Sequence, residues 1–375
     1  MAISEGDSSP KSNGSRSVTD LTAIVISRNE EVRINDCLAS CLRSIRRAQN
    51  EGLIDKADVV LVDSASTDRT VEIARRFPIS IVQLKPGWPL SAGAGRYVGL
   101  RHAHGQLILF VDGDYCLFDD WLPSAIRTIR GDLRLAAICG RDIEGSGGRS
   151  VLSRYQKASL EALRSDPEAV PVGLYRRDLL EKAGGINPFL KGAEDRDLAR
   201  RLRNAGYSLL RLPMHMGRHE WSNVGELDYI TYFRSVLTWS IGDGQASRAS
   251  PRDKALQRDT RRRYFNTRFL YNYELAAGVS TVILISLLGA FLPGGEGLFV
   301  VDGIVAMLLA AVRAARGWTL RELGFQFHVI PYALIRHAGF FLGYVRRPKN
   351  SREYPRGEVV LQTSPVAMSQ VRASR

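Results

Sequence analysis

Short apolar runs alternate with stretches of helical periodicity from Leu21 to about Leu212, and no other feature of the sequence constrains the fold as strongly. Runs of β-branched residues are typical of strands buried in a sheet. Helices of this length between strands require right-handed crossovers. The pattern therefore predicts an α/β domain with a mainly parallel, Rossmann-like sheet flanked by helices. The apolar runs lie at 23–26, 59–62, 79–82 and 107–111.

Polar residues stand directly after these runs, at the strand ends where parallel α/β sheets bind ligands. Asn29 and Glu30 follow the first run, Asp63 ends the second, and Asp112 and Asp114 follow the fourth. Two carboxylates one residue apart can share a divalent cation with a ribose or phosphate, and Mg²⁺ or Mn²⁺ prefers such oxygen ligands. Asp63 is either a carboxylate that accepts from a base or ribose, or an ordinary acid before a helix.

Three further segments carry chemically useful side chains. The small residues before Arg96 either let a phosphate approach the backbone beside that cation or form a flexible loop. Glu194 and Asp195 open a helix, where acids favour the helix dipole and where a carboxylate can also act as a general base. His219 is either a metal or diphosphate ligand or a structural histidine.

The charge balance of the 375-residue chain favours anionic partners. Lys and Arg number 52 against 39 Asp and Glu, a formal net charge of +13. Nucleic acid, a phosphate-rich ligand and an acidic membrane face all fit such a charge. The sequence has no recognisable nucleic-acid reader module. Much of the basic excess flanks two apolar runs, where anionic lipid explains it as well. We therefore expect a membrane and no nucleic acid among the partners.

The two apolar runs lie at 275–292 and 298–312 and share one tight turn without Lys or Arg. This pattern predicts a membrane-inserted helical hairpin with both flanks in the cytoplasm, at the inner membrane face. A buried hairpin of a soluble domain is the alternative. The predicted organisation is a disordered tail at 1–20, a catalytic domain at 21–250, a basic linker or interfacial helix at 251–274, two membrane helices at 275–315, an interfacial segment at 316–345 and a disordered basic tail at 346–375.

Taken in order, these motifs resemble the family 2 glycosyltransferases of the GT-A fold. The resemblance runs from about Ala23 to Trp221 and rests on the ordered set IVISRNEE, LVDSASTDRT, SAGAGRYVGLRHAHGQLILFVDGD and GLYRRDLLEKAGGINPFLKGAEDRDLARRLRNAGY, with a histidine downstream. Processive synthases of the family carry a Q-x-x-R-W motif. This chain has only Arg218-His219-Glu220-Trp221, which favours transfer of a single sugar.

The resemblance implies a role for each motif residue. Asp63, with Asn29 and Glu30, is expected at the nucleotide, and Arg96 at the donor, although Tyr97 replaces the usual Asn beside it. Asp114 is the expected ligand of Mn²⁺ or Mg²⁺, with Asp112 near the ribose or metal and His219 as a further ligand. Asp195 is the expected catalytic base, and Glu194 is expected to orient the site.

The implied reaction is inverting transfer of one sugar from a nucleotide-diphospho-sugar to a hydroxyl. A UDP-sugar is the favoured donor, and a lipid-linked saccharide in cell-surface or exopolysaccharide synthesis is the expected acceptor. Two alternatives stay open at this point. One is a polyprenyl-phosphate sugar transferase, and the other is a non-catalytic membrane protein that binds nucleotide sugars.

Overall fold

A nine-stranded sheet with helices packed on its faces forms the centre of the computed structural model, which describes residues 19–144, 167–219, 229–264, 335–346 and 349–364. The strand order is β5-β8-β6-β7-β4-β1-β2-β3-β9. The strands are β1 (Leu21–Ser27), β2 (Ala57–Asp63), β3 (Ser80–Gln83), β4 (Leu107–Asp112), β5 (Tyr115–Leu117), β6 (Leu135–Glu144), β7 (Gly173–Arg176), β8 (Ser208–His219) and β9 (Val359–Gln362).

Within the described residues, eight helices of four residues or more have given bounds. They are α1 (Ile34–Asn50), α2 (Thr70–Ala74), α3 (Ala92–His102), α4 (Trp121–Gly131), α5 (Arg177–Lys182), α6 (Glu194–Asn204), α7 (Tyr229–Ala249) and α8 (Lys254–Tyr264). A further helical segment covers 335–345.

The centre of the sheet is parallel, which confirms the α/β fold predicted from the apolar runs. β1 pairs in parallel with β2 and with β4, and β2 pairs in parallel with β3. Every residue of β1 is buried. The flanks are mixed, because β7 pairs antiparallel with β4 and β6, whereas β6 and β8 run parallel. The loops after β1, β2 and β4 therefore meet at one edge of the sheet.

α3 lies unusually close to the strands because small residues face them. Ser91 caps the helix by accepting a hydrogen bond from the backbone of Ala94 at 3.1 Å. A Cβ at Gly95 would lie 2.9 Å from the side chain of Ile26. The small residues before Arg96 therefore let α3 pack closely on the sheet. The sequence analysis proposed a phosphate-binding segment or a flexible loop here and did not include this packing role.

The predicted membrane hairpin at 275–312 and the N-terminal tail up to residue 18 lie outside the described residues. Within the described ranges, no helix is both long enough and apolar enough to cross a membrane. In the predicted basic linker, α8 forms as a helix up to Tyr264. In the predicted interfacial segment, residues 335–345 are helical.

The prediction of a disordered tail at 346–375 is wrong for 349–364. Here β9 pairs antiparallel with β3 and adds the last strand to one edge of the sheet. Glu358 accepts hydrogen bonds from Arg101 and from His102 of α3. The whole predicted tail, 346–375, contains six Arg and three Pro and few large apolar residues, so its composition is typical of disorder. Pairing with an open sheet edge outweighs that local tendency, and composition does not report such a partner.

Tyr354 anchors this C-terminal segment to the loop that precedes α3. Its side chain is 2% exposed and its ring packs edge-on against Trp88, Tyr97 and Phe189, with centroids 5.6–5.8 Å apart. Its hydroxyl donates to the carbonyl of Pro89 at 2.8 Å. The C-terminal segment therefore holds the residues that lead into Ser91.

We expect Tyr354→Ala to lower the free energy of unfolding by about 3–5 kcal/mol, because it empties a buried aromatic site. Tyr354→Phe keeps the ring and removes only the hydrogen bond to Pro89, so it is expected to cost about 1 kcal/mol. Denaturant unfolding of the two variants beside the parent chain measures both values. Equal stability of Tyr354→Ala and the parent chain would contradict the anchoring role.

Candidate functional site

A cleft of about 1240 Å³ opens at the edge where the ends of β1, β2 and β4 meet. Residues after β1 and β2, the Asp112–Asp114 turn and the start of α6 all line it. The volume of the cleft exceeds the roughly 300–1,000 Å³ that is typical of a site for one small ligand. The lining includes, among others, Ser27, Arg28, Glu30, Ser64, Arg96, Asp112, Asp114, Asp142, Lys191, Glu194, Asp195, Arg211, His219 and Trp239.

Asp112, Asp114 and His219 form a three-residue cluster that can hold a metal ion. One ligand atom from each lies within 4.8 Å of the others. The antiparallel pairing of Tyr115 with His219, between β5 and β8, brings the histidine beside the carboxylates. His219 Nε2 lies 3.0 Å from Asp114 Oδ1. The structure therefore brings together the three residues that the sequence predicts as metal ligands, and their binding of a metal stays a prediction.

The donor set of this cluster fits Mn²⁺ better than Mg²⁺. Mg²⁺ takes oxygen ligands almost exclusively, whereas an imidazole nitrogen with carboxylates suits a transition metal. Burial disfavours the charged form of His219, but the hydrogen bond to Asp114 and the charge of Asp112 outweigh it and raise the pKa of the imidazole. A metal bound at Nε2 must replace the proton that this nitrogen shares with Asp114.

Arg96 bridges the metal cluster and the predicted catalytic acids. Its guanidinium is 3% exposed, and its two terminal nitrogens donate at 2.6 Å to Asp112 Oδ1 and to Glu194 Oε1. The pKa of Glu194 is raised by burial, although the charge of Arg96 pulls it down. The predicted contact between Arg96 and the donor stays a prediction, because both terminal nitrogens already hold carboxylates.

Glu194 and Asp195 occupy the first turn of α6 with different surroundings. Glu194 is buried against Arg96, whereas Asp195 is partly exposed and lines the cleft. The preceding residue, Ala193, has a φ of +61°, a left-handed conformation that is uncommon for a residue with a Cβ. This geometry suits the predicted division of roles, in which Asp195 meets the substrate and Glu194 orients the site.

The predicted nucleotide contacts divide into two groups. Glu30 lines the cleft, and burial together with the nearby charge of Asp114 raises its pKa. Asp63 is fully buried and accepts from the backbone of Ser66 and from Gln83 Nε2, both at 2.9 Å. Asn29 Oδ1 accepts from the backbone of Thr67 at 2.9 Å. A direct contact of Asp63 or Asn29 with a nucleotide stays a prediction, since in this structure both brace the loop that carries Ser64.

Several lining residues escaped the sequence interpretation. Tyr115 donates to Asp142 Oδ1 at 2.5 Å, and its ring packs against the His219 ring at 5.6 Å. Tyr115 directly follows the Asp112–Asp114 motif, so its position carried a signal. Asp142, near the end of β6, and Trp239, within α7, have no local motif that marks them as site residues.

Comparisons with known proteins agree with this geometry. Residues 22–181 match the profile of the family described as Glycosyl transferase family 2. The glycosyltransferase AglE of Haloferax volcanii is 29% identical over 182 residues, which cover 46% of this chain and 59% of that protein. The O-antigen chain rhamnosyltransferase WbaN of Salmonella anatum is 24% identical over 192 residues, 47% of this chain and 61% of that protein. The aligned part thus spans less than two thirds of either relative.

The fold has a counterpart among solved structures. The mannosyltransferase PcManGT from Pyrobaculum calidifontis, in complex with GDP-Man and Mn²⁺, superposes with a TM-score of 0.56 at 17% identity. The match covers 87% of this chain and 88% of that one. These matches show similarity to family 2 glycosyltransferases, with the family profile matched over residues 22–181, and they support an α/β fold of the GT-A-like type. The cleft described above is the candidate functional site.

We expect Arg96→Ala to lower the free energy of unfolding of the protein by about 3–5 kcal/mol, because it leaves two carboxylates unpaired in a largely buried site. The matched control is Arg127→Ala, which removes an exposed arginine paired with Glu51. Arg127→Ala is expected to leave the denaturant concentration at the unfolding midpoint almost unchanged. Denaturant unfolding of both variants provides the comparison, and an Arg96→Ala protein as stable as Arg127→Ala would contradict the bridging role.

Proposed function

We propose that this protein is an inverting glycosyltransferase that moves one sugar from a nucleotide-diphospho-sugar to an acceptor hydroxyl. The observation that carries the proposal is the pair of sites joined by Arg96: a cluster suited to a metal and, beside it, the partly exposed Asp195. A UDP-sugar donor and a lipid-linked saccharide acceptor are part of the proposal. PcManGT, which shares the fold, was solved with GDP-Man and Mn²⁺, and this supports a nucleotide sugar and a metal as ligands.

Asp195 acts as the general base in this proposal. An acceptor hydroxyl is a poor nucleophile near neutral pH, so a carboxylate within hydrogen-bond reach must take its proton as it attacks the anomeric carbon. Attack from the side opposite the leaving group inverts that carbon. Glu194 and Arg96 do not transfer the proton. They hold the first turn of α6 against Asp112, so that the base and the donor face each other across the cleft.

Asp112, Asp114 and His219 would hold the metal ion. When bound there, Mn²⁺ supplies positive charge that stabilises the nucleoside diphosphate as it leaves. The residues after β1 and β2, including Ser27, Glu30 and Ser64, form the part of the cleft in which we place the nucleoside. Hydrogen bonds from Ser66 and Gln83 to Asp63 keep this part of the cleft in shape before the donor arrives.

Two substitutions separate donor binding from chemistry. We expect Asp195→Asn to bind Mn²⁺ and UDP within about threefold of the parent affinity while the transfer rate falls by a factor of about 10²–10⁴. Asp114→Ala is expected to lose Mn²⁺-dependent UDP binding as well as transfer. Calorimetric titration measures binding, and release of UDP from a screen of nucleotide sugars and acceptors measures turnover.

A matched control uses Asp178→Asn, which changes an exposed acid in the first turn of α5. The control tests the alternative in which Asp195 only interacts with the helix dipole. Under that alternative, Asp195→Asn lowers the free energy of unfolding by about 0.3–1 kcal/mol and leaves turnover unchanged. If Asp195→Asn transfers sugar as fast as Asp178→Asn does, Asp195 is not the base. Binding of UDP without turnover by the parent chain would favour the non-catalytic alternative.

The proposal also places the enzyme at the inner face of the cytoplasmic membrane. The apolar runs at 275–292 and 298–312, with basic flanks and no basic residue between them, support this location. The helical segment 335–345 adds support because it exposes four large apolar or aromatic side chains next to Arg346. They are Phe341 at 52%, Leu342 at 48%, Tyr344 at 37% and Val345 at 74% exposure. Such a face suits the headgroup region of a bilayer.

We expect the full chain to stay with the membrane pellet after extraction with alkaline carbonate. A cysteine that replaces Gly295, in the turn between the apolar runs, should react with an impermeant thiol reagent only from the outer side. Leu284→Arg, which adds a charge to the first run at a cost of about 2.5–3.5 kcal/mol for insertion, should release part of the protein. Quantitative release of the parent chain, or labelling of the cysteine from the cytoplasmic side alone, would rule out the spanning hairpin.

A further inference from the structure

One face of α7 packs directly on the loop that leads into the catalytic acids. A Cβ at Gly192 would lie 3.0 Å from the Cα and 3.1 Å from the Cδ1 of Trp239. A Cβ at Gly242 would overlap the backbone of Gly192. Trp239 and Gly242 stand three residues apart, on one side of the helix. The contact between the two backbones leaves no room for a side chain at either glycine, so Trp239 has a fixed position beside this loop.

Two polar contacts tie the same face of α7 to the residues around Gly192. The backbone of Lys191 donates to Gln245 Oε1 at 3.0 Å, and Arg196 Nη2 lies 3.2 Å from Asp243 Oδ1. The loop is therefore attached to α7 on both sides of Asp195.

The opposite face of α7 is fixed by the helical segment 335–345. A Cβ at Gly339 would lie 2.8 Å from the Cβ of Ser240, and one at Gly343 would overlap the backbone of Ile241. The two glycines are four residues apart, which is the spacing that lets two helices approach backbone to backbone. α7 is thus packed between the helical segment 335–345 and the loop that carries Gly192. These contacts on two faces of the helix fix the position of Trp239.

The indole of Trp239 is presented to the cleft. The side chain is 47% exposed, and it lines the same cleft as Lys191 and Asp195. In the ranges that the structure describes, no aromatic ring stacks on it and no cation lies over it. A large, rigid, half-exposed aromatic side chain at a cleft is typical of a surface that binds a ligand.

The size of the cleft and the position of the proposed base indicate which substrate contacts Trp239. At about 1240 Å³ the cleft exceeds the space that one small ligand needs, so it can receive a donor and an acceptor together. The acceptor hydroxyl must lie within hydrogen-bond reach of Asp195. Trp239 packs against Gly192, three residues before that base, and lines the same cleft.

We propose that Trp239 is the platform of an acceptor subsite that binds a saccharide ring by stacking. The axial C–H bonds of a pyranose carry a weak positive charge and pack well on the negative face of an aromatic ring. The flat indole then fixes the plane of the acceptor sugar and aims one hydroxyl at Asp195. This inference rests on the proposed transfer reaction. It assigns the saccharide part of the acceptor to a named subsite and opposes the alternative in which the acceptor is a polyprenyl phosphate.

The test measures acceptor binding separately from donor binding. Methyl glycosides of glucose, galactose, mannose, N-acetylglucosamine and rhamnose are titrated into the full chain loaded with UDP and Mn²⁺, and binding is followed by saturation-transfer NMR. We expect at least one glycoside to bind, with its ring protons shifted upfield by the indole. Trp239→Ala should weaken that glycoside about tenfold or more, the loss typical of an aromatic anchor. Trp239→Phe, which keeps a flat ring, should retain most of the affinity.

The control is Phe341→Ala, which removes a side chain of comparable exposure from the 335–345 segment. It should leave glycoside binding unchanged, and all three variants should bind UDP with Mn²⁺ as the parent chain does. If the parent binds UDP but no glycoside, or binds citronellyl phosphate instead, the saccharide platform is wrong while the proposed donor site stands. Equal glycoside affinity of Trp239→Ala and the parent would also overturn it. If the parent binds no nucleotide with any metal, the proposed function itself has failed.

Discussion

The buried guanidinium of Arg96 is the interaction on which the rest of the site depends. It joins Asp112, at the end of β4, to Glu194, at the start of α6, by two hydrogen bonds of 2.6 Å. These residues are far apart in sequence and lie on different elements of the fold. Without a cation between them, their carboxylates would repel each other in surroundings that already raise the pKa of both. The ion pair therefore sets the distance between the candidate metal site and the loop that leads into Glu194.

Backbone strain is concentrated around the same cleft. Three residues other than glycine have left-handed φ angles in the described ranges: Asn29 at +57°, Ala65 at +56° and Ala193 at +61°. They follow β1, follow β2 and precede α6, so each lies in a loop that shapes the cleft. Such conformations cost free energy and persist only where surrounding contacts enforce them. The hydrogen bonds of Asn29 with Ser66 and Thr67 supply such contacts between the first two loops.

The parallel core and the position of Asp112 and Asp114 at its edge were predictable because their signals are local. Strand runs of β-branched residues predict the sheet, and the parallel order then brings Asp112 and Asp114 to its functional edge. The use of Arg96 was not predictable in detail, because a cation after small residues fits a phosphate as well as two buried carboxylates. Trp239 carried no signal at all, since its importance comes from contact with Gly192, across about 47 residues of chain. For the same reason β9 was predicted as part of a disordered tail: its partner β3 lies near the other end of the sequence.

The pairing of β9 with β3 has a consequence for how the protein is made. Gln362 hydrogen-bonds the carbonyl of Ile79, a residue translated 283 positions earlier. Translation proceeds at roughly 5–20 residues per second. The edge of β3 therefore stays unpaired for on the order of tens of seconds before β9 has been synthesised. During that interval an unpaired strand edge is exposed to other nascent chains. Both apolar runs, at 275–292 and 298–312, are synthesised within the same interval, so the nascent chain carries them while this strand edge is still unpaired.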